Sequence, residues 1–218
     1  MTSLTPARGL SAPTVLLTGF EAFGGATINP SWLAAQALHG RQIAGHRVVA
    51  ARLPTVFDTS LSELHALLMD HRPALVVCLG LASGRTALSL ERVAININDA
   101  SLADNRGVQP VDTPVVPHGP TAYFSTLPLK AMLQALRRHG LPAELSQTAG
   151  TFVCNHVFYG LMHTLATQPA LQGTRGGFVH VPDLPVLGLP DLVGGLHLLL
   201  ETALITHTDA RVAAGAVS

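Results

Sequence analysis

Apolar positions along the chain alternate between short unbroken runs and longer stripes with a 3.6-residue period. Residues 14–18 (Thr-Val-Leu-Leu-Thr) form a β-branched apolar run and predict a first buried strand. Gly, Phe, Asn and Pro dominate from there to Pro30, which reads as a loop. Asn29-Pro30 then supplies a cap and a first helical residue, and Trp32, Leu33, Ala37 and Leu38 keep helical spacing. Residues 46–53 predict a second strand. Ser60-Leu-Ser-Glu63 matches a capping box, with Leu61, Leu64, Leu67 and Leu68 on one stripe. Residues 74–79 (Ala-Leu-Val-Val-Cys-Leu) are apolar throughout, the signature of a strand covered on both faces.

Residues 88–97 alternate in part and predict a strand that follows a strand with no helix between, so the sheet should be mixed. The stretch 98–126 is rich in Asp, Asn, Pro and Gly and predicts a long loop. A helix begins at Leu127-Pro128 and ends at His139-Gly140, where the glycine suits the C-terminal cap. Residues 143–147 predict a strand, and 151–167 an amphipathic helix with Cys154, Val157, Phe158, Leu161, Met162 and Leu165 on one face. A short strand over 177–181 and a helix over 190–206 complete the pattern. The expectation is α/β: a single three-layer α/β/α domain over 14–206 with a twisted, mostly parallel but mixed central sheet. Residues 1–13 and 207–218 read as terminal tails.

Composition narrows the function classes. Of 218 residues, 48% are hydrophobic and only 12% charged, which excludes a solvating, disordered chain. Thirteen basic and thirteen acidic residues cancel, so charge gives no support for nucleic acid or a membrane surface as a partner. So few charges cover a monomer's surface poorly, which points to self-association. Two cysteines, Cys78 and Cys154, make no disulfide framework, and prolines interrupt the N-terminal stretch before an apolar signal segment can form. The longest apolar stretch, near 196–205, is broken by His197 and Glu201 and falls short of the ~20 residues a membrane span requires. The expectation is a soluble, cytoplasmic protein.

Phosphate-binding, dinucleotide-binding, nucleophile-elbow and zinc-protease motifs are missing. His156 and His163 lie seven apart on one helix face without converging on a metal. Cys154 should stand in the first turn of its helix, where the helix terminus would lower its thiol pKa and unpaired N–H groups could hold an oxyanion. Position alone favours the other reading, a small hydrophobe on an apolar stripe. Cys78 reads as core. His180 lies near the end of a buried-looking strand, the edge where open α/β sheets gather chemistry, though a satisfied core histidine fits as well. Glu91 reads equally as a salt-bridged strand carboxylate. Phe20 and Phe23, beside flexible glycines, either wall a small pocket or plug the sheet end.

Taken in order, these segments resemble the cysteine-type pyroglutamyl peptidase (pyrrolidone-carboxylate peptidase) family. The resemblance runs from Val15-Leu-Leu-Thr-Gly-Phe-Glu-Ala-Phe-Gly-Gly25 and Asn29-Pro30 through Gly80-Leu-Ala-Ser-Gly-Arg85, Glu91-Arg-Val-Ala-Ile-Asn96 and Asp104-Asn105. It is strongest at Ala149-Gly-Thr-Phe-Val-Cys-Asn-His156 and Gly177-Phe-Val-His-Val-Pro182. It implies an exopeptidase that removes N-terminal pyroglutamate from peptides through an acyl-enzyme, with Cys154 as nucleophile, His180 as base and Glu91 as the residue orienting the imidazole. Cys154 and His180 would work as a thiolate–imidazolium pair. Phe20, Phe23, Phe152 and Val153 would wall the substrate pocket, with Asn29 nearby; no metal or organic cofactor is implied. The family commonly forms homotetramers. Ser101 stands where many members carry an arginine, for which Arg85 is the candidate substitute, and Leu81 replaces a frequent glutamine. These departures motivate the alternatives of a related amidohydrolase on another small lactam or amide, or a non-catalytic pyroglutamate-binding protein.

Overall fold

The computed structural model describes residues 12–215; 1–11 and 216–218 lie outside the described residues, and with them most of the expected N-terminal tail. Seven strands form one sheet: β1 (Thr14–Phe20), β2 (Gln42–Ile43), β3 (His46–Leu53), β4 (Leu75–Leu81), β5 (Leu88–Glu91), β8 (Ala143–Ser146) and β9 (Arg175–Val181), in the order β2-β3-β1-β4-β9-β5-β8. Strands β3, β1, β4 and β9 run parallel, whereas β5 lies antiparallel to β9 and parallel to β8. Two further strands, β6 (Val93–Ile95) and β7 (Ala122–Phe124), pair in a separate ribbon.

Both faces of the sheet are covered. Helices α1 (Pro30–Leu38), α3 (Leu129–Arg138) and α5 (Leu189–Ile205) bury one face, with Leu17, Val77, Leu79 and Val179 in its core. Helices α2 (Phe57–His71) and α4 (Val153–Thr167) bury the other, packing on Leu16, Val76, Cys78 and Phe178. Because alternate residues of β4 serve opposite layers, its run needs no polar positions. Each aliphatic side chain buried there contributes about 1.5–3 kcal/mol.

Several elements differ from the sequence pattern. The run predicted over 88–97 is two strands, split at Arg92 and belonging to different sheets. The loop predicted over 98–126 contains β7, and β1 reaches Phe20 rather than stopping at 18. Helix α2 starts at Phe57, three residues before the capping box, which therefore lies inside it. Its own N-cap, Val56, has no side chain able to accept a hydrogen bond. The Phe57 N–H instead donates to Asp104 Oδ2 at 3.0 Å, from 47 residues away. Asp104 Oδ1 accepts from Arg106 and Val108 N–H groups at 2.8 and 2.9 Å, so one carboxylate caps a helix and closes a turn. Asn29 caps α1 as the sequence predicts, accepting from Ser31 N at 3.1 Å. Within the stretch read as a C-terminal tail, Asp209 accepts the Lys130 and Ala131 N–H groups and caps α3.

Burial pushes the Asp104 carboxyl upward, but its bonds to Val108, Phe57 and Arg106 N–H and the nearby Arg106 charge outweigh this and hold it below the ordinary 3.8. Such a group stabilises the fold above its ordinary pKa and loses that effect as pH falls through the lowered value. Asp104→Ala should therefore cost about 1–3 kcal/mol at neutral pH, read from the urea midpoint. The gap to wild type should close as pH falls below 3.8. Equal midpoints at pH 7 would show that the long-range cap contributes nothing.

Candidate active site

Antiparallel pairing of β5 with β9 sets Ser89 opposite His180 and Glu91 opposite Phe178. These four residues share a sheet face, so Glu91 and His180 stand diagonally across the pair, within reach of long side chains. His180 Nδ1 lies 2.7 Å from Glu91 Oε1. A carboxylate oxygen can only accept, so Nδ1 carries the hydrogen and Nε2 is left as the acceptor. Glu91 is 0% exposed, a costly place for a charge without partners. Its offset comes from Arg85, whose Nη1 donates to the same Oε1 at 2.7 Å while its Nη2 donates to the Thr148 carbonyl at 3.0 Å. Arg85, the candidate for the missing cation, is thus committed to Glu91 and is not among the residues that line the cavity.

Cys154 occupies the first turn of α4, as its sequence position implies. The N-cap is Phe152, which supplies no side-chain acceptor, so the first N–H groups of the helix are not consumed by a cap. Gly80 on β4 stands in register with His180 on β9, and Cys154 Sγ fills the space where its side chain would project. A Cβ at position 80 would come within 2.8 Å of both Cys154 Sγ and the Phe178 ring. Glycine here permits the helix terminus to approach the sheet beside His180.

The surroundings of the thiol oppose the effect of the helix terminus. Burial pushes Cys154 up to about 12 from the ordinary 9.0, and the Glu91 charge adds to the rise while Arg85 opposes it. This direction runs against the lowering that a helix terminus alone would give the thiol.

Cys154 and His180 line one cavity of about 170 Å³, together with Phe20, Phe23, Asn29, Thr55, Leu81, Ala149, Phe152 and Val153. All five residues expected to form a substrate pocket are among its walls. Phe20 both walls the cavity and packs in the core, its ring centroid 6.5 Å from that of Phe178, so the two readings of this residue coexist. Phe23 lies 6.1 Å from Phe152, which meets Phe57 edge-on at 5.4 Å. Asn29 contributes less polarity than its type suggests, because its Oδ1 accepts from Ser31 N and Oγ and its Nδ2 donates to Glu21 O.

Thr55 and Ala149 were not anticipated, although Thr55 directly follows Leu53-Pro54. Glu21 fixes Thr55 in place: its Oε1 accepts Thr55 N and Asn105 Nδ2, and its carbonyl accepts Thr55 Oγ1. Ser101 is exposed and no residue of 98–126 lines the cavity. That segment braces the pocket wall from outside through Asp104 and Asn105, and rests on α4, where Tyr159 Oη donates to the Pro120 carbonyl. His156, two residues from Cys154, faces Asn98 Oδ1 at 2.9 Å, and burial drives it down to about 4. His163 faces Tyr123. Cys78 is buried core.

Comparison with known proteins covers most of the chain. The sequence model of the family described as pyroglutamyl peptidase matches residues 13–215. A pyrrolidone-carboxylate peptidase of Pectobacterium carotovorum is 52% identical over 94% of this chain and 99% of its own length. One from Cupriavidus taiwanensis is 53% identical over 93% and 98%. The crystal structure of pyroglutamyl peptidase I from Bacillus amyloliquefaciens superposes with a TM-score of 0.90 at 40% identity, covering 93% of this chain and 100% of that one. The pyrrolidone carboxyl peptidase of Thermococcus litoralis gives 0.88 at 32% identity, covering 92% and 99%.

The raised thiol has a measurable consequence. Alkylation of Cys154 by iodoacetamide should keep accelerating between about pH 7 and pH 10, because thiolate is the reacting form and an ordinary thiol levels off near 9.0. Mass spectrometry of the Cys154 peptide reads the rate. A plateau already reached by neutral pH would place the thiol pKa well below the ordinary value and contradict this electrostatic picture.

Proposed function

The chain belongs to the pyroglutamyl peptidase family, and from that premise we propose that Cys154, His180 and Glu91 carry its reaction. The enzyme is a hydrolase that releases an N-terminal pyroglutamyl residue from a peptide. The observation that best supports the residue assignment is the shared cavity of Cys154 and His180, with His180 tied at 2.7 Å to a fully buried carboxylate.

His180 acts first as a general base toward Cys154. Its Nε2 takes the Cys154 proton as Sγ attacks the carbonyl joining pyroglutamate to the next residue. The carbonyl electron pair moves to oxygen, which the uncapped N–H groups at the start of α4 stabilise, each worth on the order of 3 kcal/mol. Collapse of this intermediate breaks the carbon–nitrogen bond, and the imidazolium gives its proton to the departing amine. A water, deprotonated by the same imidazole, attacks the thioester and frees pyroglutamate and the thiol. Glu91 holds the imidazole with Nε2 toward the cavity and stabilises its protonated form, and Arg85 holds Glu91.

Phe20, Phe23, Phe152, Val153 and Asn29 form the substrate pocket. An apolar cavity of roughly 150 Å³ accepts a benzene ring, so about 170 Å³ suits a flat five-membered lactam. Its walls offer no carboxylate for the free amine that most aminopeptidase substrates carry.

We further propose that the enzyme is a cytoplasmic homotetramer that acts without nucleic acid or membrane. Its balanced charge supports this, and among the described residues no helix is long and apolar enough to cross a membrane. Val111 and Phe124, 65% and 69% exposed, are apolar groups a subunit contact would cover. Light scattering on the purified chain should give four times 22.8 kDa; a 22.8 kDa species alone at micromolar concentration would remove the assembly.

The assay for the reaction is fluorophore release from pyroglutamyl-aminomethylcoumarin. Cys154→Ser should fall at least ~100-fold below wild type, and Glu91→Gln ~10²-fold or more in kcat with KM little changed. Retention of wild-type turnover by folded Cys154→Ser would overturn the nucleophile assignment.

A further inference from the structure

Next to the cavity that holds Cys154 lies a second, larger one of about 360 Å³, which shares Phe23 and Leu81 with it. We propose that this groove binds the peptide that follows pyroglutamate, and that Asp183 in its wall makes the enzyme prefer leaving peptides that carry a positive charge. The proposal rests on the peptidase reading and extends it to the other side of the scissile bond.

Space sets the direction. The first cavity is filled by a five-membered ring, so a peptide whose carbonyl lies at Cys154 must continue outside it. Both cavities meet along Phe23 and Leu81, the latter being the last residue of β4, immediately after the Gly80 that accommodates the thiol. Proton transfer sets the direction too. The departing amine takes its proton from His180, so the leaving peptide must pass along the end of β9. That strand ends at Val181, and the chain turns at Asp183, whose carbonyl accepts from Val186 and Leu187 N–H at 2.9 and 3.2 Å. Asp183 is therefore held three residues past the proposed base, in the groove wall.

Chemistry sets the preference. Phe23, Ala26, Ile28, Leu81 and Leu184 make the groove apolar, suited to an apolar side chain directly after pyroglutamate. Among the described residues lining it, Asp183 alone is ionisable. Its Oδ1 lies 3.4 Å from Ser83 Oγ, and among the described residues it has no ion-pair partner. A half-buried carboxylate without a cation beside an apolar groove attracts a lysine or arginine two residues past pyroglutamate and repels a carboxylate there.

The test compares kcat/KM for pyroglutamyl-Leu-Lys-amide, -Leu-Gln-amide and -Leu-Glu-amide at low salt. Values are read as ratios within each enzyme, so a general change in activity cancels. Wild type should favour lysine over glutamate by about fivefold, and 0.5 M NaCl should shrink this. Asp183→Asn should bring the ratio near one, and Asp183→Lys should reverse the order. Equal rates for the three peptides, or an order unchanged in Asp183→Lys, would overturn the proposal. Calorimetric binding of the same peptides to Cys154→Ala gives the order without turnover. Failure of wild type on pyroglutamyl-aminomethylcoumarin would count against the peptidase reading, while the binding order would still decide the groove.

Discussion

A carboxylate removed from solvent needs compensation on the spot, and the site is arranged around that requirement. Glu91 is 0% exposed, and both of its partners, His180 and Arg85, converge on one oxygen at 2.7 Å. Truncating either partner would leave a buried charge short of compensation, which costs far more than a surface pair gains. The reversal of β5 against β9 makes the arrangement possible. A parallel β5 would change the register that brings Glu91 diagonally opposite His180. The antiparallel joint of β5 against β9 thus sets Glu91 beside His180 at the end of the parallel run from β3 to β9.

The second constraint is steric. Cys154 comes to the cavity it shares with His180 because Gly80 has no side chain, and α4 begins there without a capping residue over its first N–H groups. Both choices weaken local stability: glycine in a strand packs nothing, and a phenylalanine N-cap satisfies no donor. Stability returns from a distance. Asp104 and Asn105 tie the 98–126 segment to α2 and to the loop carrying Phe23, and Asn155 ties α4 to the β6 chain. The long polar stretch therefore acts as a brace behind the pocket wall. Close packing also acts on the thiol: burial beside the sheet raises its pKa, and the Glu91 charge adds to the rise.

The sequence by itself determined the layers and the identity of the candidate residues. Unbroken apolar runs marked the buried strands, 3.6-residue stripes marked the helices, and Asn29-Pro30 marked a helix start, because each of these follows from local backbone and burial preferences. Ordered motifs across most of the chain named Cys154, His180, Glu91 and the pocket walls, and those walls do meet in one cavity. Tertiary structure decided what depends on residues distant in the chain. The start of α2 moved because its cap is 47 residues away, the strand read over 88–97 split because its halves serve different sheets, and Thr55 entered the pocket because Glu21 holds it there. Arg85 proved to serve Glu91, and His156, beside Cys154 in sequence, turned to Asn98. Periodicity reports which face of an element is buried; which partner a buried polar atom finds is set only when the elements pack.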